Sequence, residues 1–191
     1  MKRAFIIICL LGAVALGGAF TETKPTKESL GQALFFDPIL SEDSSISCAS
    51  CHKPDFAFAD TSQFSVGVHG RLGNRNTPSA MNVSSRSSFF WDGRAATLAE
   101  QALMPIANPD EMNLPVEEAV KRLNKSHKYR SLFYKVFGKY PDANTLGTAI
   151  AAYEETLETS NTHNDRWMND GPSGMTAQQE RGREMFRTKG K

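Results

Sequence analysis

Ser47-Cys48-Ala49-Ser50-Cys51-His52 places two cysteines three residues apart, with a histidine directly after the second. C-x-x-C-H is the pattern by which a c-type haem is tethered: the two thiols add to the vinyl groups, and the histidine turns its imidazole onto the iron. Two other chemistries compete for a close cysteine pair. A thioredoxin-like dithiol sits after a strand in a βαβ pattern, and no such pattern is visible. A zinc site needs further ligands at a second close spacing, and the sequence offers no second pair. Haem c uses both thiols and His52 together, so the rest of the chain is read as packing, ligands and access around that iron.

The compartment follows from the first residues. Lys2 and Arg3 form a short positive region, Ala4 to Phe20 carries no charge, and Gly17-Gly18-Ala19 supplies small residues for cleavage. Residues 1–19 are therefore expected to be a cleaved signal peptide and the mature protein periplasmic. The alternative, a membrane anchor, needs roughly 20 apolar residues, more than this run provides. Cys9 lies in this leader, which leaves Cys48 and Cys51 as the mature pair. Across 191 residues the formal net charge is +1, with 40% hydrophobic and 23% charged residues. That is a globular composition, and its near-neutral balance gives no support for nucleic-acid binding.

Periodicity outside the motif is helical. Lys27–Phe36 aligns Leu30, Leu34 and Phe35 and ends at Asp37-Pro38. Thr97 begins a helix carrying Leu98, Ala99, Ala102 and Leu103, expected to stop at Pro105. Pro115 opens another through Leu123, Ser126 caps one that Gly138 ends, and Asp142–Leu157 aligns Leu146, Ile150, Tyr153 and Leu157. Residues 161–174 read as a connecting loop. Thr176 then caps a helix over Ala177–Phe186, with Gln179 completing a capping box. Strand alternation is weak throughout. The expected fold is all-α: a c-type cytochrome-like haem domain with long loops, followed by the first helix of a second one.

The loops carry the candidate chemistry. Ser65–Asn76 is rich in Gly, Asn and Arg and holds His69, either a second axial ligand or a solvated surface residue. Phe56 and Phe58 either line the haem edge or close the local core. Glu111, on the turn Asn108-Pro109-Asp110-Glu111-Met112, could move a proton between peroxide oxygens, and Gln101 could orient that substrate. A carboxylate near a low-polarity haem face has its pKa raised towards neutrality. A fixed sixth ligand, His69 or one of Met81, Met104 and Met112, would instead make an electron carrier.

Several stretches occur in a telling order: Leu34-Phe35-Phe36-Asp37-Pro38, the haem motif, Arg75-Asn76-Thr77-Pro78-Ser79, Phe90-Trp91-Asp92-Gly93-Arg94-Ala95, Glu100-Gln101-Ala102, and Asn108 to Met112. They continue through Ala149 to Glu154 and Asp165-Arg166-Trp167. This set resembles the bacterial di-haem cytochrome c peroxidases and the related MauG-type enzymes. The resemblance implies that Cys48 and Cys51 bind the peroxidatic haem and that His52 is its proximal ligand. It implies that Gln101 and Glu111 are the distal pair, that Trp91 carries electrons between two haems, and that Asn76 is a calcium ligand. It further implies hydrogen peroxide as substrate, a small cytochrome c or cupredoxin as donor, and a homodimer as one arrangement; no membrane contact is expected after cleavage. MauG-type oxidation of a protein substrate is the alternative within the family.

Two departures from that pattern stand out. The removable distal histidine of many relatives falls on Val68 when counted back from Trp91, one residue before His69. The second C-x-x-C-H is expected soon after Gly182-Arg183-Glu184-Met185-Phe186, where this sequence stops. The expected organisation is therefore a peroxidatic domain over 20–174 and the start of a second haem domain over 175–191.

Overall fold

The computed structural model describes residues 24–169 and 174–190; the expected signal peptide lies outside them. Among the described residues eight α-helices follow in order: α1 (Lys27–Phe36), α2 (Cys48–Cys51), α3 (Leu98–Ala107), α4 (Val116–Lys125), α5 (His127–Phe137), α6 (Ala143–Glu154), α7 (His163–Met168) and α8 (Ala177–Thr188). Among the described residues there is no strand. Three isolated antiparallel bridges, Lys53–Ala59, Val66–Leu72 and Phe89–Ala95, pinch the long loops instead. No helix among the described residues is long and apolar enough to cross a membrane.

Most helix starts are written in the capping residues. Thr26, Ser126, Asp142 and Thr176 each accept a backbone N–H from the first turn, which satisfies donors a helix leaves unpaired. Gly138 ends α5 with φ 71°, a left-handed conformation that costs glycine nothing.

Two expectations need correction. α3 does not stop at Pro105 but runs on to Ala107. Ile106 is fully buried there, and the next loop takes up the helix end, with Met112 N–H donating to Pro105 O and Leu114 N–H to Ile106 O. The stretch 161–174 is not all loop. Thr162 and Asp165 form a capping box that starts α7.

α6 is the centre of the packing, with α1 on one side and α3 on the other. Glycine permits both contacts. A Cβ on Gly31 would fall on the Ala149 carbonyl, and one on Gly147 would fall on the Ala99 carbonyl. The principal core joins Leu30, Leu34 and Phe35 to Leu123, Phe133, Leu146 and Ile150, and Cys48 and Ala49 pack against it. The Cys48–Cys51 turn is thus mounted on the principal core.

Candidate functional site

The motif folds itself. Ser47 N–H donates to Ser50 Oγ at 3.0 Å, and His52 N–H donates to Cys48 O at 2.9 Å. The single turn α2 therefore sets Cys48, Cys51 and His52 at i, i+3 and i+4, on one face. The two thiols are unbridged. Burial pushes Cys48 up to about 12, helped by the charge of Glu154. Burial also raises Cys51, so both stay protonated near neutrality.

His52 Nδ1 donates to the Phe58 carbonyl at 3.0 Å. That bond fixes the tautomer and leaves the lone pair on Nε2, the atom that would face a metal. Burial holds the imidazole below its ordinary pKa, against the carbonyls of Phe58 and Pro78, which favour the cation. A neutral ring is what ligation needs. The Phe58 carbonyl is aimed by two consecutive left-handed residues, Ala57 (φ 54°) and Phe58 (φ 55°). Each costs about 1 kcal/mol in an L-residue. The bend is braced by Phe58 N–H on Lys53 O (2.9 Å) and Ala80 N–H on Phe58 O (3.1 Å). Beneath it, Asp60 accepts from Lys53 Nζ at 2.6 Å, and that bond, with the Ser65 hydroxyl, holds its carboxyl far below the usual range. Phe56 stays exposed, whereas Phe58 meets Phe35 edge-on at 6.0 Å between ring centres. Phe58 therefore joins the local core.

Glu111 lies half-buried on the turn after α3. Asn108 Nδ2 donates to its Oε1 at 2.6 Å. Burial raises the carboxyl pKa despite that bond, and its charge acts on the thiols of both Cys48 and Cys51. The glycine-rich loop is clipped to this turn: Val68 N–H donates to Glu111 O at 2.8 Å and Arg71 Nη1 to Pro109 O at 2.8 Å. Gly67 presses so close that a Cβ would strike the Asp110 and Glu111 backbone. Gln101 is half-buried on α3, the helix that delivers this turn.

The other sequence candidates are dispersed. His69 is exposed with φ 57°, and its Nε2 lies 2.9 Å from Glu42 Oε2; the neighbouring Val68 is fully buried. Met112 is buried in the principal core, Met104 packs on a smaller cluster, and Met81 is half-buried. Trp91 is 70% exposed under the Arg75 guanidinium, 4.0 Å from the ring centre. Asn76 is exposed, its Nδ2 donating to Ser62 O at 3.2 Å. No group of three or more His, Cys, Asp or Glu among the described residues could hold a metal ion.

One residue escaped the sequence reading. Glu154 is 7% exposed, and its Oε2 has no hydrogen-bond partner. The signal was available, since Glu154 continues the apolar stripe of Leu146 and Ile150 at the next four-residue step. Two protonated thiols and an imidazole anchored through Nδ1, all on one helical turn, are together a donor set that fits a covalent haem.

Comparison with known proteins agrees with this. The family model described as di-haem cytochrome c peroxidase matches residues 25–173. The chain is 39% identical over 164 residues to the methylamine utilization protein MauG of Methylorubrum extorquens, covering 85% of this chain and 46% of that protein. It is 38% identical over 173 residues to cytochrome c551 peroxidase of Nitrosomonas europaea, covering 90% of this chain and 52% of that one. The chain thus spans about half the length of these relatives. Among solved structures, a MauG-like protein associated with microbial copper homeostasis superposes with a TM-score of 0.75 at 28% identity, covering 84% of this chain and 48% of that one. The diheme peroxidase BthA of Burkholderia thailandensis superposes with a TM-score of 0.72 at 31% identity, covering 85% and 46%. With the all-α fold, the ordered motifs and a family match over most of its length, the chain belongs to the di-haem cytochrome c peroxidase family.

Proposed function

We propose that this chain is the peroxide-reacting haem domain of a periplasmic di-haem peroxidase, reducing hydrogen peroxide to water. The observation that carries the reading is Glu111: a half-buried carboxyl with raised pKa, held by Asn108 and electrostatically coupled to both haem-tethering thiols. Cys48 and Cys51 would tether haem c, and His52 Nε2 would hold its iron. When bound, the haem supplies the redox chemistry by which two electrons and two protons convert peroxide to two waters.

The protein's part is acid–base and positional. Glu111 takes the proton from one peroxide oxygen and returns it to the other, and its raised pKa suits exchange near neutral pH. Asn108 holds Glu111 Oε1, so Oε2 is the working oxygen. Gln101 orients the substrate. Trp91, stacked under Arg75, passes electrons from a second haem domain that a small cytochrome c or cupredoxin reduces. Asn76 contributes to a calcium site. His69 is tied to Glu42 and would not be the residue that holds the iron. MauG-type oxidation of a protein substrate is the second reading, favoured by a MauG relative at 39% identity.

Glu111→Gln tests the assignment. We expect at least a hundredfold loss in the rate at which peroxide oxidises the haem protein, with haem content unchanged by pyridine haemochrome assay. An unchanged rate removes Glu111 from the mechanism. Peroxide turnover with a small redox donor, set against peroxide-driven oxidation of a protein substrate, separates the two readings.

A further inference from the structure

Asn108 is the hub of the turn that carries Glu111. It closes α3, its N–H donating to Met104 O at 3.0 Å. Its carbonyl accepts the N–H of Glu111 at 3.1 Å and the N–H of Asn113 at 2.9 Å, so the turn from Asn108 to Asn113 folds back on it. Its side-chain Oδ1 accepts the Asp110 N–H at 3.1 Å, an Asx turn. Asn113 seals the far end at φ 49°, a conformation asparagine tolerates, and its Nδ2 donates to Glu42 Oε2 at 2.5 Å. An aspartate at position 108 would build the same Asx turn, because its carboxylate also accepts. What asparagine adds is a donor. Its Nδ2 lies 2.6 Å from Glu111 Oε1, between two half-buried side chains. The Asp110 N–H can only donate and the Glu111 carboxylate can only accept, so both partners fix the same orientation of the amide.

The other groups around Glu111 are committed elsewhere or act at a distance. From the glycine-rich loop, Gly67 and Val68 bring only backbone, His69 is bonded to Glu42, and Arg71 is spent on the Pro109 carbonyl. On α3, Glu100 accepts the Ala96 N–H. On the turn itself Asp110 is exposed, and its charge disfavours the carboxylate, whereas that of Arg94 favours it. Burial raises the carboxyl pKa, and the Asn108 bond is the largest influence opposing that rise.

We propose that Asn108 is a positioning residue for the acid–base step: the amide that builds the turn also grips Glu111 Oε1, holding the carboxyl in one orientation with Oε2 free for peroxide. This role rests on the acid–base reading of Glu111 above. It makes the donor, and not the turn, the reason for an asparagine at this position.

Asn108→Asp separates the two jobs. It keeps an acceptor for Asp110 and sets a second carboxyl against Oε1 in place of the donor. Two carboxyls that close share one proton and release it at higher pH. Asn108→Ser keeps a hydroxyl for the turn and has no group that reaches Oε1; it serves if the aspartate variant fails to fold. Two readouts are taken on the haem-loaded protein: the infrared titration of 13C-labelled glutamate carboxyls, with Glu111→Gln identifying the Glu111 band, and the pH profile of the reaction of the ferric protein with peroxide. The carboxylate is the form that accepts the peroxide proton, so the rate falls as pH drops through the Glu111 titration. We expect both the Glu111 band and that limb of the rate profile to move up by about one pH unit in either variant. If either stays at its parental pH, the grip is overturned, and a rate lowered equally at every pH makes Asn108 a turn residue only. Parental reactivity in Glu111→Gln is a separate result, which overturns the acid–base reading and this inference with it.

Discussion

The two walls of the site are made differently. The proximal wall stands on helices: Gly31 brings α1 close onto α6, Cys48 and Ala49 of α2 pack against the core they share, and these helices hold Cys48, Cys51 and Glu154. The facing wall is loop. Among the described residues, five of the eight non-glycine residues with positive φ lie between Lys53 and Ala95: Ala57 and Phe58 at the bend that holds His52, and His69, Asn82 and Phe90 in the loop beyond it. The first wall is positioned by packing, which is stiff and cooperative. The second is positioned by strain and a few hydrogen bonds, such as Val68 to Glu111 and Arg71 to Pro109. The tethering residues sit on the stiff side, whereas Glu111 and the loop that covers it sit where shape is set bond by bond. The proposed peroxide reaction would need both, one wall that does not move and one that admits substrate.

The sharpest way to break this contrast is to put a methyl group into each wall. In Gly31→Ala the new carbon falls on the Ala149 carbonyl, which is backbone and cannot turn aside. We expect a loss of about 3 kcal/mol, near the top of the overpacking range, read by urea unfolding of the haem-loaded protein. Gly70→Ala meets nothing within 4 Å and suffers only from its φ of 72°, so about 1 kcal/mol is expected. Equal losses would mean that the α1–α6 contact is not the rigid element.

The same contrast governs what could be read from the sequence. Helices are legible where a cap or a stripe announces them: Ser126 with Gly138, Thr176 with Gln179, and the Leu146-Ile150-Tyr153 spacing of α6. α7 was missed because its capping box, Thr162 with Asp165, begins only six residues of helix amid polar neighbours. The end of α3 was misplaced because propensity stops a helix at proline, while the tertiary burial of Ile106 carries it on. Cys48, Cys51 and His52 were legible because chemistry demands their spacing. The left-handed pair Ala57-Phe58 was not, since neither residue favours that conformation and only the His52 bond explains it. Glu154 was hidden by its type, because an acid on an apolar stripe reads as an exception until its burial is seen.

The strained pair offers an intermediate effect. Ala57→Gly removes the steric cost of a left-handed alanine while leaving the Phe58 carbonyl in place. About 1 kcal/mol should be gained, reduced somewhat by the greater freedom of glycine in the unfolded chain. The haem spectrum should be unchanged if only strain is relieved. A destabilised variant would show that the Ala57 methyl is packed, and that this bend belongs with the stiff wall.

The smallest effect is expected at His69, and it decides the most about the open side. Its ring is bonded to Glu42 at the surface, and the bond holds the Glu42 carboxyl below its usual pKa. To bind the iron the imidazole would have to leave that carboxylate and displace the buried Val68, whose amide is committed to the Glu111 carbonyl. Exposed pairs of this kind add little to stability, so His69→Ala should unfold at the same urea concentration as the parent. The ferric optical spectrum is the informative measurement. If the loop leaves the iron's second face free, parent and variant give the same spectrum and react with peroxide at the same rate without prior reduction. A six-coordinate low-spin parent that turns high-spin in His69→Ala would establish His69 as the distal ligand. The loop wall would then have to unclip from Glu42, and from Glu111, each time the site opens.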